Sequence, residues 1–161
     1  MKASRPYLYS TLLLMIVSPA LSAVIELLVR QGEAALAIPI IGKWFMFWGA
    51  GLRLFTAGLM QSIRPAFTAE TIFRMRDEGS HVLVRELGFA NVSLGLIAMV
   101  SLLVPEWRVV AAVACGLFLG LASANHLVRR SPEPNQTIPL VTNAVVFLVL
   151  VVYLVHHALA A

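Results

Sequence analysis

Five stretches of the chain run apolar for about twenty residues, each bounded by charge or proline: 7–29, 44–63, 83–104, 109–128 and 138–156. A helix rises about 1.5 Å per residue, so about 20 residues cross a hydrocarbon core of about 30 Å. The period-2 alternation of a barrel is absent, and an open sheet would leave unpaired backbone groups in lipid. The pattern predicts an all-α fold, a polytopic transmembrane bundle of five spans forming one domain over 1–161.

The first run has features of a secretory signal: Lys2 and Arg5, an apolar stretch, then Ser18-Pro19-Ala20-Leu21-Ser22-Ala23. Leu21 fits the −3 position of such a cleavage site poorly, and Val24, Ile25, Leu27 and Leu28 extend the run to a full span. A retained first span is the reading adopted, with a kink at Pro19, whose ring removes a hydrogen bond and crowds the preceding turn. Between the second and third spans, 65–78 is too polar to cross lipid. Pro65 suits a first helical turn; Ala69, Ile72, Phe73 and Arg76 share one face, and Glu70, Arg74, Asp77 and Glu78 the other. This predicts an amphipathic interfacial helix. Ser131-Pro132-Glu133-Pro134-Asn135 predicts a turn before the fifth span, and Asn135-Gln136-Thr137, though it matches the glycosylation pattern, would face the cytoplasm.

Composition narrows the class. The chain is 60% hydrophobic and only 12% charged over 161 residues, with a mean hydropathy of +0.87, more apolar surface than a soluble domain of this size hides. The formal charge of +4 is spread over the ends of apolar runs and makes no block of the kind that binds nucleic acid. Seven of the twelve Lys and Arg fall at the N-terminus and in the second and fourth loops, and three in the first and third. Cytoplasmic loops carry the excess, so the expected topology is that of a multi-pass, bacterial-type inner-membrane protein with the N-terminus cytoplasmic and the C-terminus outside. Trp44, Trp48 and Trp107 then fall near outer ends of spans, as interfacial anchors. A single cysteine, Cys115, inside an apolar run, leaves no intrachain disulfide and reads as a small buried hydrophobe. Small residues at Gly51 and Gly58, Gly88 and Gly95, and Gly116, Gly120 and Ala124 predict helix contact surfaces within the bundle.

Polar groups inside the spans carry the candidate chemistry, because a charge near the bilayer centre costs about 3 kcal/mol or more. Arg53, about halfway along the second span with Gly49, Ala57 and Gln61 on its face, cannot shed its proton and needs an acid, carbonyls or a ligand. Glu26 in the first span has two open partners, Arg30 at i+4 and Arg53. In Arg85-Glu86-Leu87-Gly88-Phe89-Ala90-Asn91, Glu86 is expected to point into the bundle while Arg85 snorkels outward, with Asn91 near the level of Arg53. Alternating span directions put Gln61, Glu86, Asn125, His126 and Asn143 at one depth. We therefore read Glu86 and His126 as candidate catalytic, proton-handling groups and Arg53, Gln61, Asn91, Asn125 and Asn143 as candidate ligand-binding groups. For Gln61, Asn125 and Asn143 the competing reading is hydrogen bonds that lock helix packing. No metal site is expected, since the adjacent His156 and His157 project to different sides of a helix at the opposite membrane face from His126.

Phe47-Trp48-Gly49-Ala50-Gly51-Leu52-Arg53-Leu54 with Ala57-Gly58, Pro65 and Phe67-Thr68-Ala69, then Arg85-Glu86-Leu87-Gly88-Phe89-Ala90-Asn91 with Gly95 and a late His126, resemble the DoxX-like group of small membrane proteins, in particular a branch with a Glu-x-Gly-Phe-Ala-Asn segment. The likeness runs over about residues 44–156. It implies a compact helical bundle broken after the second span, with relatives acting as membrane subunits of quinone-linked oxidoreductases or as partners in redox-defence complexes. It matches Arg53 to the arginine of the glycine-rich span, and Glu86 and Asn91 to the acid and amide of the third.

Three functional classes follow. The first is an intramembrane binding protein for a quinone-like or other lipophilic carbonyl compound, in a redox complex or alone. The second is a non-catalytic accessory or assembly subunit docking a membrane or cytoplasmic protein partner. The third is a membrane isomerase or cyclase, or a small transporter, for which a homo-oligomer would be compatible. The chain shows no phosphate-binding glycine loop and no paired intramembrane histidines for haem; whether it is an enzyme is left open by the sequence.

Overall fold

A computed structural model describes residues 5–31, 33–70, 75, 77–128 and 134–160. These are helical almost throughout, with no strand among them, and five helices are long and apolar enough to cross a membrane: Leu8–Val29, Ala34–Ile63, Gly79–Val100, Pro105–Val128 and Thr137–Ala160. Large apolar side chains such as Leu28, Leu103 and Leu121 are more than two-thirds exposed on the bundle surface. In water that would be untenable; in lipid it costs nothing.

The second span begins ten residues before the predicted start. Pro39 lies in the first turn of the helix Ala37–Trp44, where its missing N–H is no loss, so Lys43 belongs to the span and not to a loop. The fifth helix, Pro134–Ala160, likewise starts on a proline and runs through Pro139. Pro134 and Asn135 are thus a first helical turn rather than the predicted loop, while 131–133 lie outside the described residues. The interfacial helix is shorter than expected: a helix spans Pro65–Thr68, Ala69 is buried and Glu70 and Asp77 are exposed, as the face pattern requires. Ile72, Phe73, Arg74 and Arg76 lie outside the described residues. The third helix opens at Asp77, whose carboxylate accepts the Ser80 N–H at 2.8 Å, an N-cap that satisfies a first-turn donor.

Two of the spans depart from α geometry. In the first, Leu13–Val17 is a π turn, closed by the Ser18 N–H on the Leu13 carbonyl; this wider turn is the room Pro19 needs for its ring, so the sequence-predicted strain is met by unwinding the helix locally. In the second, the whole run Phe45–Leu52 is π-helical and ends at Arg53.

Glycines set the closest approach. A Cβ on Gly58 would stand 2.6 Å from the Gly88 carbonyl oxygen, and one on Gly95 would stand 2.5 Å from the Phe55 nitrogen. Backbone thus meets backbone along the seam between the second and third spans, the contact surface that Gly51, Gly58, Gly88 and Gly95 predict. The fourth and fifth spans also pack lengthwise, but a Cβ on Gly116 would find its nearest neighbour, Leu150, at 3.7 Å. Met15, Met46, Ala50, Ala98, Cys115, Leu119, Val146 and Leu150 form the core shared by all five spans.

Candidate functional site

The sequence-predicted polar residues separate into three environments. The first holds a pair. Asn91 is buried in the third span and donates from Nδ2 to Gln61 Oε1 at 2.7 Å across the glycine seam. Its own Oδ1 is buried and accepts no hydrogen bond, as is the Ser62 hydroxyl beside it in sequence. Asn91 does not reach the level of Arg53. It is Gly95 that faces that turn, with the Gly51 carbonyl and Phe55 backbone against it, and Gln61 lies eight residues, about 12 Å, further along the second span.

The second environment is lipid-facing. Glu86 and Asn125 are exposed. The buried positions of the third span are Val84, Gly88, Asn91, Gly95 and Ala98, a helical 3–4 spacing that puts Glu86, two residues from both Val84 and Gly88, on the other side. Glu86 therefore does not point into the bundle, and among the described residues it makes no ion pair with His126. His126 and Asn143 are half-buried near the ends of their spans. The cross-span bond that ties the fourth span to the fifth is one that sequence reasoning missed, from the Ser123 hydroxyl to the Leu140 carbonyl at 2.7 Å.

Arg53 stands in the third. It follows the π-helical run directly, ten residues or about 15 Å from the Ile63 end of its helix. Gly49, one turn earlier on the same face, abuts Val146 of the fifth span and the Met15 carbonyl of the first. The Arg53 Nε is buried and has no hydrogen-bond partner. Its charge is permanent, so an unoccupied donor of this kind is an open valence of the bundle.

The other membrane end contains a constellation that the sequence showed only in part. Glu26 accepts the Arg30 Nε–H at 3.2 Å, the Trp44 Nε1–H at 2.7 Å, and a short bond from the Lys43 ammonium. Of the two open partners for Glu26 the structure selects Arg30 and adds two from the second span; Arg53 is not among them. Trp48 donates to the Ser22 hydroxyl at 3.0 Å, and Phe47 meets both Trp44 and Trp48 edge to face. Trp44 and Trp48 thus tie the second span to the first, and Trp107 alone, nearly half exposed, stands free as an interfacial anchor would. The reversal that makes this contact is local. The first span ends with the Arg30 N–H on the Glu26 carbonyl and Gln31 in the left-handed region at φ 58°, the αL position that terminates helices. Lys43 was hidden from sequence reasoning by its assignment to a loop; its place one residue before Trp44, the anchor tryptophan, was the available signal.

Among the described residues no three His, Cys, Asp or Glu side chains come together as metal ligands. Residues 9–161 match the family described as a family of unknown function, DUF6790. The chain belongs to that family. No curated protein and no solved structure matches it, and the match carries no link to the DoxX-like group.

Proposed function

We propose that the protein is a multi-pass membrane protein that binds a lipophilic, carbonyl-bearing small molecule of the quinone-like class, anchored by Arg53. One observation carries this reading: a permanently charged guanidinium whose Nε is buried near the middle of its span with no partner. A desolvated charge there costs about 3 kcal/mol, and a ligand carbonyl accepting from Nε would offset that cost. His126 and Asn143 are the half-buried polar groups that remain available to the site; with Glu86 exposed, proton handling in this reading falls to His126. Membership of a redox complex is the extension that the DoxX-like motifs suggest, and the charge distribution of the loops supports a cytoplasmic N-terminus and an external C-terminus.

The test is native mass spectrometry of protein extracted gently from its own membrane. A bound quinone or isoprenoid in the wild type that is lost in a folded Arg53→Ala supports the reading. Equal retention in both proteins, or no retained small molecule in the wild type, overturns it.

A second reading, a non-catalytic accessory subunit, is favoured by the Gln61–Asn91 bond laid across the glycine seam, since polar residues there fix helix register. In that case charge reversal at Arg74 and Arg76 breaks co-purification with a protein partner, and substitution of His126 changes nothing.

A further inference from the structure

At the Glu26 end a cleft of about 190 Å³ opens between the first and second spans and the start of the fourth, lined by Glu26, Arg30, Lys43 and Arg108 with Pro39 and Ile40 among its apolar walls. Three cations face one carboxylate there. Glu33 and Glu106, the other acids near this end in sequence, are exposed and do not line it. The lone carboxylate is already saturated by Lys43, Trp44 and Arg30. Arg30 uses only its Nε in that bond, and Arg108 uses only its Nε, held on the Ser101 carbonyl at 3.2 Å. The terminal nitrogens of both guanidiniums are therefore left without hydrogen bonds among the described residues, at a cleft with two positive charges in surplus. A guanidinium fork matches the oxygens of a phosphate. The side chains of Lys43 and Glu26 are only 14% and 16% exposed, so the charges are held in a partly desolvated frame and are not freely snorkelling in water.

We propose that this cleft is a binding site for a phosphate group, held by the Arg30 and Arg108 guanidiniums with Lys43 supplying further positive field. The apolar wall at Pro39 and Ile40 suits the glycerol and first methylenes of an anionic phospholipid; a free phosphate ion would use the same nitrogens. The site is independent of Arg53, which is ten residues further along the second span than Lys43.

The test uses the full chain in detergent, with dioctanoyl phosphatidylglycerol and inorganic phosphate as probes, in the wild type and in Arg30→Gln/Arg108→Gln. Saturable binding of the lipid that weakens about tenfold or more in the double variant is the expected result. If inorganic phosphate does not compete, the source is a lipid headgroup; if it competes at similar concentration, the source is the free ion. Arg30→Gln alone, at a side chain 55% exposed, stands in if the double variant loses its fold, since Lys43 and Trp44 still hold Glu26. Unchanged lipid affinity in the variants, or no saturable binding of either probe, overturns the proposal. Arg53→Ala binds the lipid as the wild type does, which separates this result from the fate of the Arg53 reading.

Discussion

The two charged centres of this bundle solve the same problem in opposite ways. Glu26 is surrounded: every donor it needs comes from its own helix or from the start of the second span, and the cluster joins two spans. Arg53, on that same second span, has a buried Nε and no partner. A buried charge that is fully bonded belongs to the architecture, and its loss leaves other charges stranded. One without a partner weakens the architecture, and its presence calls for something outside the fold.

The contrast is broken most severely at Glu26. Glu26→Ala leaves the Lys43 ammonium and the Trp44 indole N–H without their acceptor and should cost about 3 kcal/mol, read as a large fall in Tm by circular dichroism in detergent. The glycine seam supplies the next test. Gly58→Ala drives a methyl to 2.6 Å from a carbonyl oxygen and should lose about 2–3 kcal/mol. Gly116→Ala, with 3.7 Å of clearance, should be neutral or gain up to about 1 kcal/mol from helix propensity. Arg53→Leu, measured on ligand-free protein, should raise stability by about 2 kcal/mol. A loss of stability instead would mean that the arginine is architectural after all. Smallest is Asn91→Ala, which removes one interhelical bond worth about 0.6 kcal/mol and is best read as a change in unfolding rate of the extracted protein.

Much of this was legible in the chain. Apolar runs of span length define the five helices because lipid permits little else, and the spacing of Gly51, Gly58, Gly88 and Gly95 marks the seam because backbone contact needs an absent side chain. The start of the second span was obscured by Pro39 and Lys43, a proline and a charge that usually mark loops but here sit in and just after a first helical turn. Glu26 with Arg30 was visible from i,i+4 spacing, whereas Lys43 and Trp44, 17 and 18 residues away, depend on a chain reversal that local pattern does not encode. The inward reading of Glu86 failed for a different reason. A polar residue near a span end can face lipid headgroups as readily as neighbours, and only the phase of Val84, Gly88, Asn91 and Gly95 distinguishes the two.

The π-helical run from Phe45 to Leu52 has a consequence for how this chain tolerates change in length. A π turn behaves as an α-helix that has absorbed an extra residue. Deleting a single residue inside the run and letting it rewind would turn everything beyond it by about 100°. Arg53 would leave the face it shares with Gly49, and Gly58 would swing off its contact with Gly88, so one codon removed from this stretch would undo the candidate site and the seam together.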